Sequence, residues 1–131
     1  MSGHGHIDPA NKKIALLIAV LALFLALAET AAKSSQTDAL NANVEASNLW
    51  AFFQAKTIRM TAVTTAAEDM EVTRNAVADE AAKAAMTRQI EAWRGRSARW
   101  DNEPETNEGR RQLSTRAQAA EKKRDVSYKR Y

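Results

Sequence analysis

Few side chains in this sequence could carry chemistry. His4 and His6 stand two apart near the start and could share a metal ion. Two ligands at a polar terminus do not close a site, because zinc takes three or four protein ligands. No further histidine exists, so no imidazole base can act in the body of the chain. Glu68, Asp69, Glu71, Asp79 and Glu80 form a dense set of carboxylates. A carboxylate di-iron bundle needs Glu-x-x-His pairs, and none occurs, so these acids read as a solvated helix face. Ser34 and Ser35 follow Lys33, but no nucleophile elbow or Ser-x-x-Lys pattern accompanies them. There is no phosphate-cradling glycine loop. Cysteine is absent, which removes disulfides, thiol chemistry and thiolate metal sites. The sequence therefore points to no catalytic residue, no metal site and no cofactor, and to a protein that is not an enzyme.

Three other clusters suit binding. Trp93, Arg94, Arg96, Arg99 and Trp100 interleave indoles with guanidinium groups. That pattern suits anionic lipid headgroups, stacking on single-stranded nucleic acid, or a helix end packed on a neighbour. Trp50, Phe52 and Phe53 could line a ligand pocket, although helix packing is the commoner use. Gln54 and Lys56 would supply the polar part of that contact, with Lys56 pairing to an acid on a neighbouring helix. Residues 109–131 carry eight bases against Glu121 and Asp125, a net of +6. Residues 29–100 hold nine acids and nine bases, so the basic character belongs to the tail.

These clusters hang on one organising stretch. Residues 14–28, IALLIAVLALFLALA, are fifteen apolar residues in a row. A spanning helix needs about 20 residues to cross a hydrocarbon core of about 30 Å. Extension through Thr30, Ala31 and Ala32, with Lys13 and Lys33 reaching outward, nearly covers that thickness. A cleaved leader is the second reading, since Ala26-Leu27-Ala28 fits the small-x-small pattern. A soluble core helix is the weakest, because the segment is apolar all round and little of the chain could enclose it. A retained anchor fits best. Lys12 and Lys13 precede it and only Lys33 closely follows, which favours a cytoplasmic N-terminus and a periplasmic body.

Helix dominates the remainder. Asp8-Pro9 reads as an N-cap followed by proline at the first helical position. No glycine or proline then occurs for 85 residues, until Gly95. This predicts one very long helix, or two helices joined by a polar turn. The weak points are residues 32–43, rich in Ser, Thr, Asp and Asn, and residues 66–75, where Glu68, Asp69 and Glu71 suit the first turn of a new helix. From Leu49 a 4-3 spacing runs through Phe53, Lys56, Met60, Val63, Ala67, Met70, Arg74, Val77, Ala81, Ala84 and Arg88. A second row, Ala51, Ala55, Ile58 and Ala62, lies roughly opposite, so the helix has two apolar sides to cover. Residues 101–108, DNEPETNE, form an acidic loop stopped by Pro104. A last helix follows, with Leu113, Ala117, Ala120, Arg124, Tyr128 and Tyr131 on one side.

The run Trp50-Ala-Phe-Phe-Gln-Ala-Lys56-Thr-Ile58-Arg, about 20 residues beyond the anchor, resembles the signature of a family of small bacterial inner-membrane proteins. That family is known only as a domain of unknown function. The stretch Leu113-Ser-Thr-Arg-Ala-Gln-Ala-Ala-Glu-Lys-Lys-Arg-Asp125 and the ending Tyr128-Lys-Arg-Tyr131 fit it too. The similarity runs from Lys12 onward. It implies location and architecture, with no activity to carry over. Members continue into further hydrophobic spans, so the resemblance implies that this chain stops short of them.

The expected fold is all-α: a transmembrane helix continuing into a long helix or helical hairpin with coiled-coil-like packing. The expected parts are a polar lead (1–13), the span (14–32), a long helical region (33–100), the acidic loop (101–108) and a basic helix (109–131). Leu49, Trp50, Phe52, Phe53, Gln54, Lys56, Ile58, Met60 and Val63 are the expected packing residues. Lys12, Lys13, Lys33, Trp93, Arg94, Arg96, Arg99 and Trp100 are the expected membrane-interface residues. The expected function is assembly in the bacterial inner membrane, as a homo-oligomer or as a subunit of a larger complex, without nucleic acid. The alternative is a module that grips anionic lipid through the Trp/Arg segment and the tail.

Overall fold

The computed structural model describes residues 8–130. They form three helices and no strand: α1 (Pro9–Ala76), α2 (Glu80–Asp101) and α3 (Arg110–Tyr128). The all-α expectation holds. Asp8 caps α1, its Oδ1 accepting from the Ala10 amide at 3.2 Å, and Pro9 occupies the first turn. The 68 residues of α1 make a rod about 100 Å long.

The expected weak point at 32–43 does not break. One of its hydroxyls bonds inside the helix instead of competing with it: Thr37 Oγ1 donates to the Lys33 carbonyl at 3.0 Å. From Ala39 onward, packing adds its own support. The second expected break, at 66–75, comes slightly later. Val77 turns extended, at φ −91° and ψ 136°. Asp79 then caps α2, its carboxylate accepting from the amides of Ala81 and Ala82 at 3.4 and 3.3 Å. The first-turn acid is Glu80, not Glu68, Asp69 or Glu71, which remain within α1. A β-branched residue and a capping aspartate thus reverse the chain without glycine or proline.

Beyond the turn the chain runs back along α1. Arg74 faces Thr87, Glu71 faces Arg94, Thr57 faces Arg110, Trp50 faces Glu121 and Asn43 faces Arg124. One number falls as the other rises, so α2 and α3 form an antiparallel return limb in two pieces. Each piece packs on α1, and the two scarcely touch each other.

The buried line on α1 is Ala39, Ala42, Ala46, Leu49, Lys56 and Ala67, with Phe53, Met60, Val63, Met70 and Arg74 half-buried between them. This keeps the 4-3 spacing and begins ten residues earlier than the sequence reading placed it. Small residues line both sides where α3 docks: Ala39, Ala42 and Ala46 on α1, Ala117, Ala120 and Ser127 on α3. Small side chains let two helices approach closely. Leu113, fully buried, fills the space against Leu49, Trp50 and Phe53. The expected continuation through Ala81, Ala84 and Arg88 fails, because all three are exposed. The turn at 77–79 resets the phase, and α2 instead turns Met86, Ile90, Trp93, Ser97 and Trp100 inward. In α3, Ser127 takes the buried place expected of Tyr128, which is half exposed. Tyr131 lies outside the described residues.

Residues 9–31 of α1 are exposed on every side. Leu25 and Phe24 show 71% and 69% of their surface. Among the described residues, α1 is the one helix long and apolar enough to cross a membrane.

Candidate functional site

The densest side-chain contacts lie where α3 begins on α1. Trp50 and Phe53 pack edge to face, with centroids 5.3 Å apart and planes at 80°. Trp50 Nε1 donates to Glu121 Oε1 at 2.8 Å. The Arg110 guanidinium lies 5.5 Å from the Phe53 ring centre and reaches Thr57 Oγ1 at 3.5 Å. Asp101, the last residue of α2, accepts from both Arg110 and Arg111, the first two of α3; each ion pair measures 2.9 Å. That carboxylate ties the two halves of the return limb together across the loop.

The loop itself is pinned by side chains. Gln112 Oε1 accepts from the Glu103 amide at 3.0 Å, and its Nε2 donates to Asn102 Oδ1. Asn107 adopts the left-handed conformation, φ 58°, which asparagine tolerates well. Its carbonyl accepts from Arg116 at 3.0 Å. Gly109 is buried at the start of α3, and a methyl group there would run into the Glu103 backbone nitrogen. The chain leaves α2 one residue later than the expected loop boundary, at Asn102.

Several expected packing residues face the return limb: Leu49, Trp50, Phe53, Lys56, Met60 and Val63 are buried or half-buried. Gln54 and Ile58 point outward, Ile58 with 69% of its surface free, and Phe52 lies at the edge. Lys56 is buried, but no ion pair to it occurs among the described residues. Its Nζ instead lies 5.2 Å from the Phe52 ring centre, so the expected acidic partner is replaced by an aromatic face. The second row, Ala51, Ala55, Ile58 and Ala62, is exposed throughout.

Trp93 and Trp100 are half-buried on α2. Arg94 pairs with Glu71, while Arg96 and Arg99 face solvent. Glu71 lies roughly 57 Å along the α1 axis from Lys33. Lys12, Lys13 and Lys33 are exposed at the two ends of the apolar stretch, with Lys33 Nζ 3.3 Å from Glu29.

No group of three or more histidines and carboxylates sits together among the described residues. The acid-rich segment is used otherwise: Glu71 pairs with Arg94 and Asp79 caps α2. His4 and His6 lie outside the described residues. Ser34 is exposed and Ser35 half-buried. The grooves are open surface features. One of about 300 Å³ lies between Met60, Ala67, Arg94 and Asp101. One of about 400 Å³ lies between Phe53, Arg110, Arg111 and Ser114.

Glu121 and Arg110 were missed from sequence because they reach across 71 and 53 positions to α1, and Asp101 because its partners, nine and ten positions on, lie beyond a loop. The seam residues Ala39, Ala42 and Ala46 did leave a signal: they extend the 4-3 spacing upstream from Leu49.

Together these features define a class: an all-helical protein, a closed hairpin carried on one rod whose free end is apolar on every side. Residues 10–131 match the family described as Domain of unknown function (DUF4337), and the chain belongs to it. Comparison with curated proteins and with solved structures finds no match.

Proposed function

We propose that the protein is a membrane-anchored scaffold that works by association, residues 14–32 of α1 lying in the bacterial inner membrane and the hairpin standing beside it. The observation that carries this reading is the exposure of every side of residues 9–31, next to a hairpin whose own seam is closed. Apolar surface of that extent is stable in lipid and costly in water. The helix also runs unbroken through the possible leader site, Thr30 Oγ1 donating to the Ala26 carbonyl at 2.8 Å, which favours a retained anchor. Lys12 and Lys13 favour a cytoplasmic N-terminus with the hairpin across the membrane.

The partner is a second copy of the chain. With the seam used internally, the other apolar side of α1 remains: Leu40, Val44, Ala51, Ala55, Ile58 and Ala62, all exposed. At about 100° per residue, Ala15, Ala19, Ala22 and Ala26 continue the same side into the anchor. Small residues at that spacing allow close helix contact in lipid. One face therefore offers a line of contact inside and outside the bilayer, interrupted by the Glu29–Lys33 pair.

The test is the oligomeric state of the full chain in mild detergent, by light scattering with chromatography. The wild type should run as a dimer or larger. Ile58→Asp combined with Ala22→Leu should give a monomer with unchanged helicity by circular dichroism. A monomeric wild type, or an oligomer indifferent to both changes, rejects the reading, as does a chain recovered only from the aqueous fraction. Stoichiometric co-purification of a different membrane protein in place of self-association would point to an accessory subunit instead.

A further inference from the structure

The cations of α3 divide into two sets by what they touch. Arg110 and Arg111 hold Asp101, Arg116 holds the Asn107 carbonyl, and Arg124 holds Asp125 and Asn43. These four are used by the fold. The side chains of Lys122, Lys123, Lys129 and Arg130 make no hydrogen bond or ion pair among the described residues, and all four are exposed. They are also the cations at the lower end of the return limb. Lys122 and Lys129 are one heptad apart, as are Lys123 and Arg130, so they form one strip on the outward face of the last turns.

The register fixes where that strip lies. Arg124 meets Asn43 at 3.2 Å, and α3 ends three residues after Asp125, at Tyr128. The buried residue Ser127 therefore lies at the level of Ala39, about 9 Å along α1 from Lys33. A layer of headgroups surrounding the end of the anchor would be within one screening length of Lys129 and Arg130, and Lys122 and Lys123 stand about 10 Å further out. The acids at this level are Glu29, Asp38, Glu45, Glu121 and Asp125. Glu29 is paired with Lys33, Asp125 with Arg124, and Glu121 accepts from Trp50. Asp38 and Glu45 are exposed and the indole leaves the Glu121 charge in place, so the foot of the hairpin has four unpaired cations against three acids without a cation.

We infer that this foot binds anionic phospholipid headgroups of the bilayer that holds α1, through Lys122, Lys123, Lys129 and Arg130. The inference rests on the anchor reading above. Phosphate oxygens are the groups such a cationic strip takes, and the anchor delivers them at the right level. The cations take no part in the hairpin, so they are free for that contact. The contact ties the end of α3 to the surface and sets the angle at which the hairpin stands.

The full chain, reconstituted in nanodiscs of equal phosphatidylcholine and phosphatidylglycerol, should retain phosphatidylglycerol over phosphatidylcholine by about tenfold when released for native mass spectrometry at low salt. The preference should fall towards parity at 0.5 M salt, where screening is short-ranged (roughly 4 Å). Reversing the foot, as K122E, K123E, K129E and R130E together, should abolish it. Reversing three exposed cations of α2, as R88E, R96E and R99E, should leave it intact. Equal retention of both lipids by the wild type, or equal loss in both variants, overturns the inference. So does full competition by millimolar inorganic phosphate, which would make the strip a general anion site. Carbonate extraction of cell membranes reports separately on the anchor: release of the wild type there fails the anchor reading itself, whatever the lipid preference.

Discussion

The indole of Trp50 donates to the carboxylate of Glu121 at 2.8 Å, across 71 positions of sequence. This bond joins the aromatic patch of α1 to the middle of α3, beside Leu113, Ala117 and Phe53. A hydrogen bond to a charged group contributes about 1.5–3 kcal/mol. Trp50→Phe should therefore lower unfolding stability by about 2 kcal/mol in a denaturant titration. Glu121→Gln keeps an acceptor oxygen and should cost less than about 1 kcal/mol. A loss from Glu121→Gln as large as that from Trp50→Phe would mean that the carboxylate charge, and not merely an acceptor oxygen, carries the bond.

Gly109 closes the loop onto the first turn of α3. A methyl group at this position meets the Glu103 backbone nitrogen and the Gln112 side chain, and the backbone is the part that cannot yield cheaply. Overpacking of this kind costs about 1–3 kcal/mol. Gly109→Ala should lose that amount and expose residues 102–109 to proteolysis, while Gly95→Ala, with open space around it, should be neutral or slightly stabilising. Limited proteolysis with mass mapping checks both.

Lys56 occupies a seam position with only 6% of its surface exposed and an aromatic ring as its partner. Burying an ammonium group costs more than a ring face returns at such a site. Lys56→Met keeps the length and removes the charge, so it should raise the stability of the hairpin by about 1 kcal/mol. A loss of that size in thermal unfolding would show that the ammonium group contributes more than its packing.

The long helix, the acidic loop and the heptad seam were legible because each rests on local signals. These were the absence of glycine and proline before Gly95, Pro104 among acids, and the spacing from Leu49. The turn at 77–79 was harder to place. Glu68, Asp69 and Glu71 mimic a helix start, yet the operative cap is Asp79, and only the docking of α2 on α1 selects it. The phase of α2 was lost for the same reason, since a seam counted through a turn keeps no memory of the reversal. The use of Lys56 followed the same pattern: its burial was readable, but its neighbour, Phe52, lies on its own helix. The two sets of cations in α3 look alike in sequence, and only the register shows which are engaged.

The return limb is made of two lengths that lean on the rod and scarcely on each other. Each therefore carries its own hold, and the Asp101 clamp is their main shared fastening. The length nearer the apolar end holds the rod through Leu113 and Ala117, the outer one through Ile90 and the Arg94–Glu71 pair, so α1 behaves as a mast with two separately hoisted sails.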